Sequence, residues 1–192
     1  ASTDGTVERA LAAGATVVTE ANRGYGNACL RGLRRATSMA DAIIVFLDAD
    51  RSDFPIEMMA LVEPIRQGTA DFVLGDRGGS DRPWHARVGT KLCVGLINKL
   101  WRTEYRDLGP FRAIRRSAID RLKMVDRTWG WTNEMQIKAA EVGLVICEVP
   151  VRQRARIGQS KISGTVTGTV KAGLRMLYTI WCLWRTRRAR GF

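Results

Sequence analysis

The chain has 192 residues, 45% hydrophobic and 26% charged, enough for one folded domain with a sizeable core and too apolar for a disordered chain. Lysine and arginine number 31 against 19 acidic residues, a formal charge of +12, which points to an anionic partner: nucleic acid, a membrane surface or a phosphorylated substrate. The four cysteines, Cys29, Cys93, Cys147 and Cys182, form no C-x-x-C pair and have a single histidine, His85, for company, which argues against zinc and for free thiols in a reducing compartment.

In chain order, the first half alternates short apolar runs with helical patterns. Thr6–Ala13 reads as a short helix capped by Asp4 or Thr3 and ended by Gly14. ATVVT at 15–19 is a strand candidate. NRGYGNACLRGLRRAT supplies a glycine-bearing turn, then a helix with Leu30, Leu33 and Ala36 on one stripe. AIIVFL at 42–47 is the continuous apolar run of a central strand, followed by a helix from about Pro55 and a strand at 71–75. Such β-α-β-α-β order predicts a three-layer α/β domain with a mostly parallel sheet.

The second half opens on GDRGGSDRP at 75–83, a polar glycine-rich surface loop. Residues 85–101 then read as a helix with Val88, Leu92, Leu96 and Leu100 at four-residue spacing. FRAIR at 111–115 predicts a strand, and Ser117 with Asp120 a capping box for the next helix. A helix over 133–142 ends at Gly143, before a last strand at 144–151. Residues 1–161 thus form one domain. The tail, 162–192, carries Val166, Val170, Leu174, Leu177, Ile180, Trp181 and Trp184, and closes on RTRRARGF. Lys171 and Arg175 interrupt it, so an amphipathic helix lying in a membrane interface fits better than a spanning one. A helix packed on the domain's own core is the other reading.

The carboxylates of VFLDADRSDFP stand out in so basic a chain. Asp48 and Asp50 fall at the carboxyl end of an apolar strand, where open α/β sheets bind ligands. Two carboxylates this close repel unless a cation or donors neutralise them, and oxygen ligands suit Mg²⁺ or Mn²⁺ holding a diphosphate. A bare D-x-D is also a common polar turn.

The ordered stretches NRGYGNACLRG, FLDADRSDFP, VLGDR, DLGPFRAIRR, GWTNEMQIKA and RIGQSKISG together resemble family 2 glycosyltransferases of the polyprenyl-phosphate sugar synthase branch, typified by dolichol-phosphate mannose synthase. The resemblance runs to about Gly164. It implies a GT-A fold and an inverting, Mg²⁺- or Mn²⁺-dependent transfer of a hexose from a UDP- or GDP-linked sugar. The implied acceptor is a polyprenyl phosphate at the cytoplasmic membrane surface. ASTDGT resembles the end of a conserved D-D-x-S-x-D-x-T element, so the resemblance also implies a chain truncated at its N-terminus, ahead of the nucleotide-binding first strands.

Residue by residue, the resemblance makes Asp48 and Asp50 metal and donor ligands. Ser52, which stands where the family often has glutamine, is the third metal candidate, with Asp53 beside it. Asp4, Asn22, Gly24 and Gly26 would face the nucleotide, and Arg156, Ser160 and Lys161 would close over its phosphates. Arg77, Arg87 and Lys91 would hold the acceptor phosphate, since a guanidinium fork meets phosphate oxygens in pairs. Asp107 is the acid–base or positioning carboxylate and Glu134 a second acidic candidate, with Arg112 able to pair with either. A phosphate acceptor is already anionic, so positioning would outweigh base catalysis and Asp50 would matter more than Asp107. The alternatives are a same-fold transferase with a hydroxyl acceptor and a non-catalytic membrane-associated module. Nucleic acid is disfavoured because the cations do not interleave with aromatics.

Overall fold

The computed structural model describes residues 4–36, 41–78, 84–154 and 166–189. The helices are α1 (Thr6–Ala12), α2 (Tyr25–Arg35), α3 (Met58–Arg66), α4 (Trp84–Trp101), α5 (Arg116–Leu122), α6 (Trp131–Glu141) and α7 (Val166–Ala189). The strands are β1 (Ile43–Phe46), β2 (Phe72–Asp76), β3 (Arg112–Arg115) and β4 (Ile146–Pro150).

The sheet order is β1-β3-β2-β4. β2 and β4 pair parallel, whereas β3 is antiparallel to both β1 and β2. Three strands therefore share one direction, as expected, and β3 enters against them. A short strand's side chains carry no sign of its direction, so this mixed pairing was not legible in FRAIR.

Side chains alternate cleanly across the sheet, as the two-residue strand period requires. Phe46, Phe72, Leu74, Ile114 and Ile146 join the core shared with α2, α4, α5, α6 and α7. Val45, Val73, Ala113, Cys147 and Val149 face the other way, against Leu61 and Ile65 of α3. The result is three layers, α3 below the sheet and the remaining core helices above it.

Three local expectations change. Residues 15–19 form no strand among the described residues, where nothing offers them a ladder. On α4 the buried stripe is Cys93, Val94, Ile97 and Trp101, while Val88 and Leu92 are exposed. Four-residue spacing drifts around a helix of 3.6 residues per turn, so the longer stripe crossed from one face to another. Ser117 lies inside α5 and caps nothing, because the helix starts at Arg116, whose guanidinium instead bonds the Asp120 carboxylate 3.0 Å away.

Candidate functional site

The chain leaves β1 into the carboxylate loop. Arg51 takes a left-handed backbone, φ 65°, between Asp50 and Ser52. That uncommon conformation for a non-glycine residue turns the Ser52 N–H back to donate to Asp50 Oδ1 at 2.9 Å. The Asp48 N–H reaches Asp53 Oδ2 at 3.4 Å. A strap from after β4 holds the loop from outside. The Arg154 N–H donates to Ser52 O at 3.0 Å, and its guanidinium donates to Arg51 O and lies over the Phe54 ring. Arg152 pairs with Glu57 and covers the same ring.

Asp53 is 1% exposed, and burial raises its carboxyl above the usual range. The Asp48 N–H and the Arg77 charge oppose that rise, while Asp50 and Glu57 add to it. Among the described residues its Oδ1 has no hydrogen-bond partner, and neither has the buried Oε1 of Gln153, the residue bridged to it across the strap. Buried orphan oxygens of this kind call for a cation, a proton or a water. The donor set is oxygen throughout, the chemistry of a hard divalent cation. Among the described residues no three His, Cys, Asp or Glu side chains form a ready cage. Two carboxylates and substrate phosphates are the usual Mg²⁺ arrangement, so the residues fit.

A second charged group lies across the strand ends. Arg77, just past β2, grips Asp107 with Nε to Oδ2 at 2.5 Å and Nη2 to Oδ1 at 2.7 Å. Both side chains are more than nine-tenths buried. The Leu108 N–H also donates to Asp107 Oδ1, at 2.8 Å. Arg112 makes no ion pair with Asp107 or Glu134. It donates to Gly109 O, to Thr132 O at 3.2 Å and to Gln136 Oε1 at 3.4 Å, over the Phe72 ring. Burial pushes this guanidinium down to about 10, still charged at neutral pH. Gln136 returns a bond to Asp107 O at 3.0 Å, so the 107–112 turn is laced to α6.

The glycine turn before α2 serves close packing. A Cβ on Gly24 would meet Arg127 O at 2.2 Å, and one on Gly26 would meet Asp126 O at 2.2 Å. Gly26 and Asn27 instead donate their N–H groups to Thr128 O and Arg127 O, each at 3.1 Å. Glu134, 1% exposed, anchors that partner loop from behind. Its carboxylate accepts from Val125 N at 3.0 Å and Asp126 N at 2.7 Å, and pairs with Lys138 at 2.6 Å. α7 completes the clamp: Arg175 Nε donates to Thr128 Oγ1 at 2.8 Å, and Thr179 Oγ1 to Asp126 Oδ2 at 3.0 Å.

A family model described as glycosyl transferase family 2 matches residues 1–123. The chain belongs to glycosyl transferase family 2. A glycosyltransferase of Mycobacterium tuberculosis H37Rv is 37% identical over 175 residues, 89% of this chain and 78% of that protein. The undecaprenyl-phosphate mannosyltransferase of Micrococcus luteus is 30% identical over 183 residues, 87% of this chain and 72% of that one. Among solved structures, the glucosyl-3-phosphoglycerate synthase of M. tuberculosis with Mn²⁺, uridine diphosphate and phosphoglyceric acid superposes with a TM-score of 0.77 at 23% identity. That match covers 96% of this chain and 65% of the synthase, so the chain spans about two thirds of the solved structures it resembles. The likeness shows the GT-A fold.

Within this family 2 chain the structure gathers some expected residues and separates others. Asp48, Asp50, Ser52 and Asp53 share one loop, and Arg77 with Asp107 lies close enough to act on it electrostatically. Asp48 in turn acts on Tyr25 and Cys29, which puts the start of α2 beside the carboxylates. Arg87 and Lys91 are exposed on α4, whereas Arg77 is buried. The N-cap of α1 is Gly5 rather than Asp4 or Thr3; Asp4, just outside it, accepts from the Thr6 N–H at 3.2 Å, and Asn22 bonds Glu20. Glu134 is committed to the 125–128 loop. Arg156, Ser160 and Lys161, like Thr3 and part of the 75–83 loop, lie outside the described residues. Gln153, Arg154, Asp126 and Thr128 were missed. They carry no motif, and only their placement opposite distant loops gives them a role.

Proposed function

We propose that the protein is an inverting, divalent-metal-dependent glycosyltransferase. It moves a hexose from a UDP- or GDP-linked sugar to a polyprenyl phosphate at the cytoplasmic face of a membrane. One observation carries the reading: a loop of carboxylates at the end of β1 lies beside a buried arginine held by Asp107. When bound there, the cation offsets the charge of the leaving diphosphate. Asp48 and Asp50 are its ligands. Asp107 fixes Arg77 by Nε and Nη2, so Nη1 is left to face an incoming phosphate. A carboxylate held in that bidentate grip is a poor base, which favours an acceptor that is already an anion. The Micrococcus relative, which by name acts on undecaprenyl phosphate, supports the same acceptor class.

The outer surface supports attachment to a membrane. Among the described residues no helix is long and apolar enough to cross one. α7 is half packed on α4 and α6 through Ile180, Leu177 and Leu183, but Val170, Leu174, Tyr178 and Trp181 stand exposed. Neighbouring α4 exposes Trp84, Val88 and Leu92 among Arg87 and Lys91. Arg185 lies over Trp181 and Arg188 over Trp184, keeping cations beside aromatic rings as an interfacial helix does.

Calorimetric titration of UDP- and GDP-sugars, with and without Mn²⁺, tests the donor site. Mn²⁺-dependent binding by the wild type that is lost in Asp50→Ala is the expected result. A folded protein that binds no nucleotide sugar would leave a membrane-associated binding module as the better reading.

A further inference from the structure

The cavity between α7 and the 125–128 loop has no part in the chemistry proposed above. It measures about 330 Å³ and shares no lining residue with the carboxylate loop, Arg77 or Asp107. Its two buried carboxylates are already matched. Glu134 is taken by Lys138 and two backbone N–H groups, and Asp126 by the Thr128 N–H, two hydroxyls and Arg175. What remains are donors and apolar surface. Arg175 spends Nε on Thr128 Oγ1 at 2.8 Å and Nη2 on Asp126 Oδ2 at 3.4 Å, which leaves Nη1 uncommitted among the described residues. Arg127 is exposed, and its guanidinium has no partner among the described residues. Val125, Tyr178, Cys182 and Leu183 supply the apolar lining. Tyr178 is exposed and shares a helix face with the exposed Leu174 and Trp181, so the cavity runs on into the surface read above as membrane-facing.

We propose that this cavity is an accessory site for an anionic phospholipid of the bilayer. Arg127 and Arg175 hold the phosphate, and the first acyl carbons lie along Tyr178, Cys182 and Leu183. This rests on the membrane reading and deepens it, because adsorption needs only a basic, apolar surface and no site. Charge and continuity argue for the occupant. Guanidiniums present forked N–H donors that suit phosphate oxygens. An apolar wall that opens on an interfacial helix suits a chain already held in the bilayer. A soluble phosphorylated metabolite meets the first condition and not the second.

Calorimetric titration of dihexanoyl phosphatidylglycerol, below its micelle concentration and at fixed ionic strength, tests the site apart from vesicle adsorption. Dihexanoyl phosphatidylcholine controls for net charge and inorganic phosphate for the chains. Phosphatidylglycerol should bind about tenfold tighter than either. Arg127→Gln should raise its dissociation constant about fivefold, the worth of one cation at an anionic leaflet, with an unchanged melting temperature. Cys182→Phe fills the cavity without changing charge and should abolish binding. An unchanged dissociation constant in either variant overturns the proposal. Inorganic phosphate bound as tightly as the lipid overturns it too, in favour of a small-anion site. If Cys182→Phe does not fold, Arg127→Gln decides alone. Sedimentation with phosphatidylglycerol vesicles separates this from the membrane reading. A wild type that sediments but binds no dihexanoyl lipid loses the site and keeps the membrane; one that does neither loses both.

Discussion

Single residues here are set by contacts that their types alone do not announce. Gly26 and Gly32 both sit on α2, yet only Gly26 meets backbone where a Cβ would stand. Gly26→Ala should therefore cost about 2 kcal/mol, the scale of overpacking, while Gly32→Ala should add nearly 1 kcal/mol of helix propensity. Urea denaturation of the pair reads both signs. Cys93 is buried, and burial pushes its thiol up to about 11 from an ordinary value near 9. The folded state then keeps a proton that the unfolded state releases, so stability is lost as pH rises from about 9 to 11. Replacing Cys93 with Ala should flatten that slope in denaturation curves taken across the window. Asp107→Asn should raise the KM for a phosphate acceptor more than it lowers kcat, because it frees Arg77 rather than removing a base. A fall in kcat of a hundredfold or more at unchanged KM would instead mark a hydroxyl acceptor.

At the scale of elements, the glycine turn, the 125–128 loop, α6 and α7 form one assembly. Glu134 is its centre, and Glu134→Gln should lower the unfolding free energy by about 2 kcal/mol, the worth of charged hydrogen bonds to buried N–H groups. Loss of activity at full stability would return Glu134 to chemistry. Arg175→Ala should speed hydrogen exchange at the Gly26 and Asn27 amides, which donate to the 125–128 loop that Arg175 holds at Thr128; unchanged exchange would show the loop held without Arg175. Much of this architecture was readable in advance. AIIVFL, DFVLG and LVICEVPV became β1, β2 and β4 because apolar run length and flanking turns speak for strands. The D-x-D at the end of β1 followed from strand direction. What escaped were pairings over long separations: β3 set antiparallel, Gln153 against Asp53, Arg77 closing on Asp107. Pattern along a chain reports which face a residue occupies, but not which distant segment meets it.

At the scale of the whole molecule, the basic excess and the exposed apolar residues of α4 and α7 together predict salt-sensitive sedimentation with anionic lipid vesicles. Each surface cation contributes roughly 1 kcal/mol near such a leaflet. Leu174→Ser with Trp181→Ala should cut binding severalfold while leaving the metal-free melting temperature nearly unchanged, since both side chains are exposed. Retained binding would assign that face to something other than lipid. The order of assembly follows from the sheet. β1 finds its described partner in β3, roughly seventy residues on, and the carboxylate loop is strapped from outside by Arg152 and Arg154, about a hundred residues downstream. Pairings this distant fold slowly, and a ribosome adds about 5–20 residues per second. For several seconds of its synthesis the nascent chain therefore carries its aspartates on an untied loop. Competence for cation and nucleotide arrives late, as the strap leaves the exit tunnel, so a chain cut short before Arg152 is expected to be inert even where its first helices have formed.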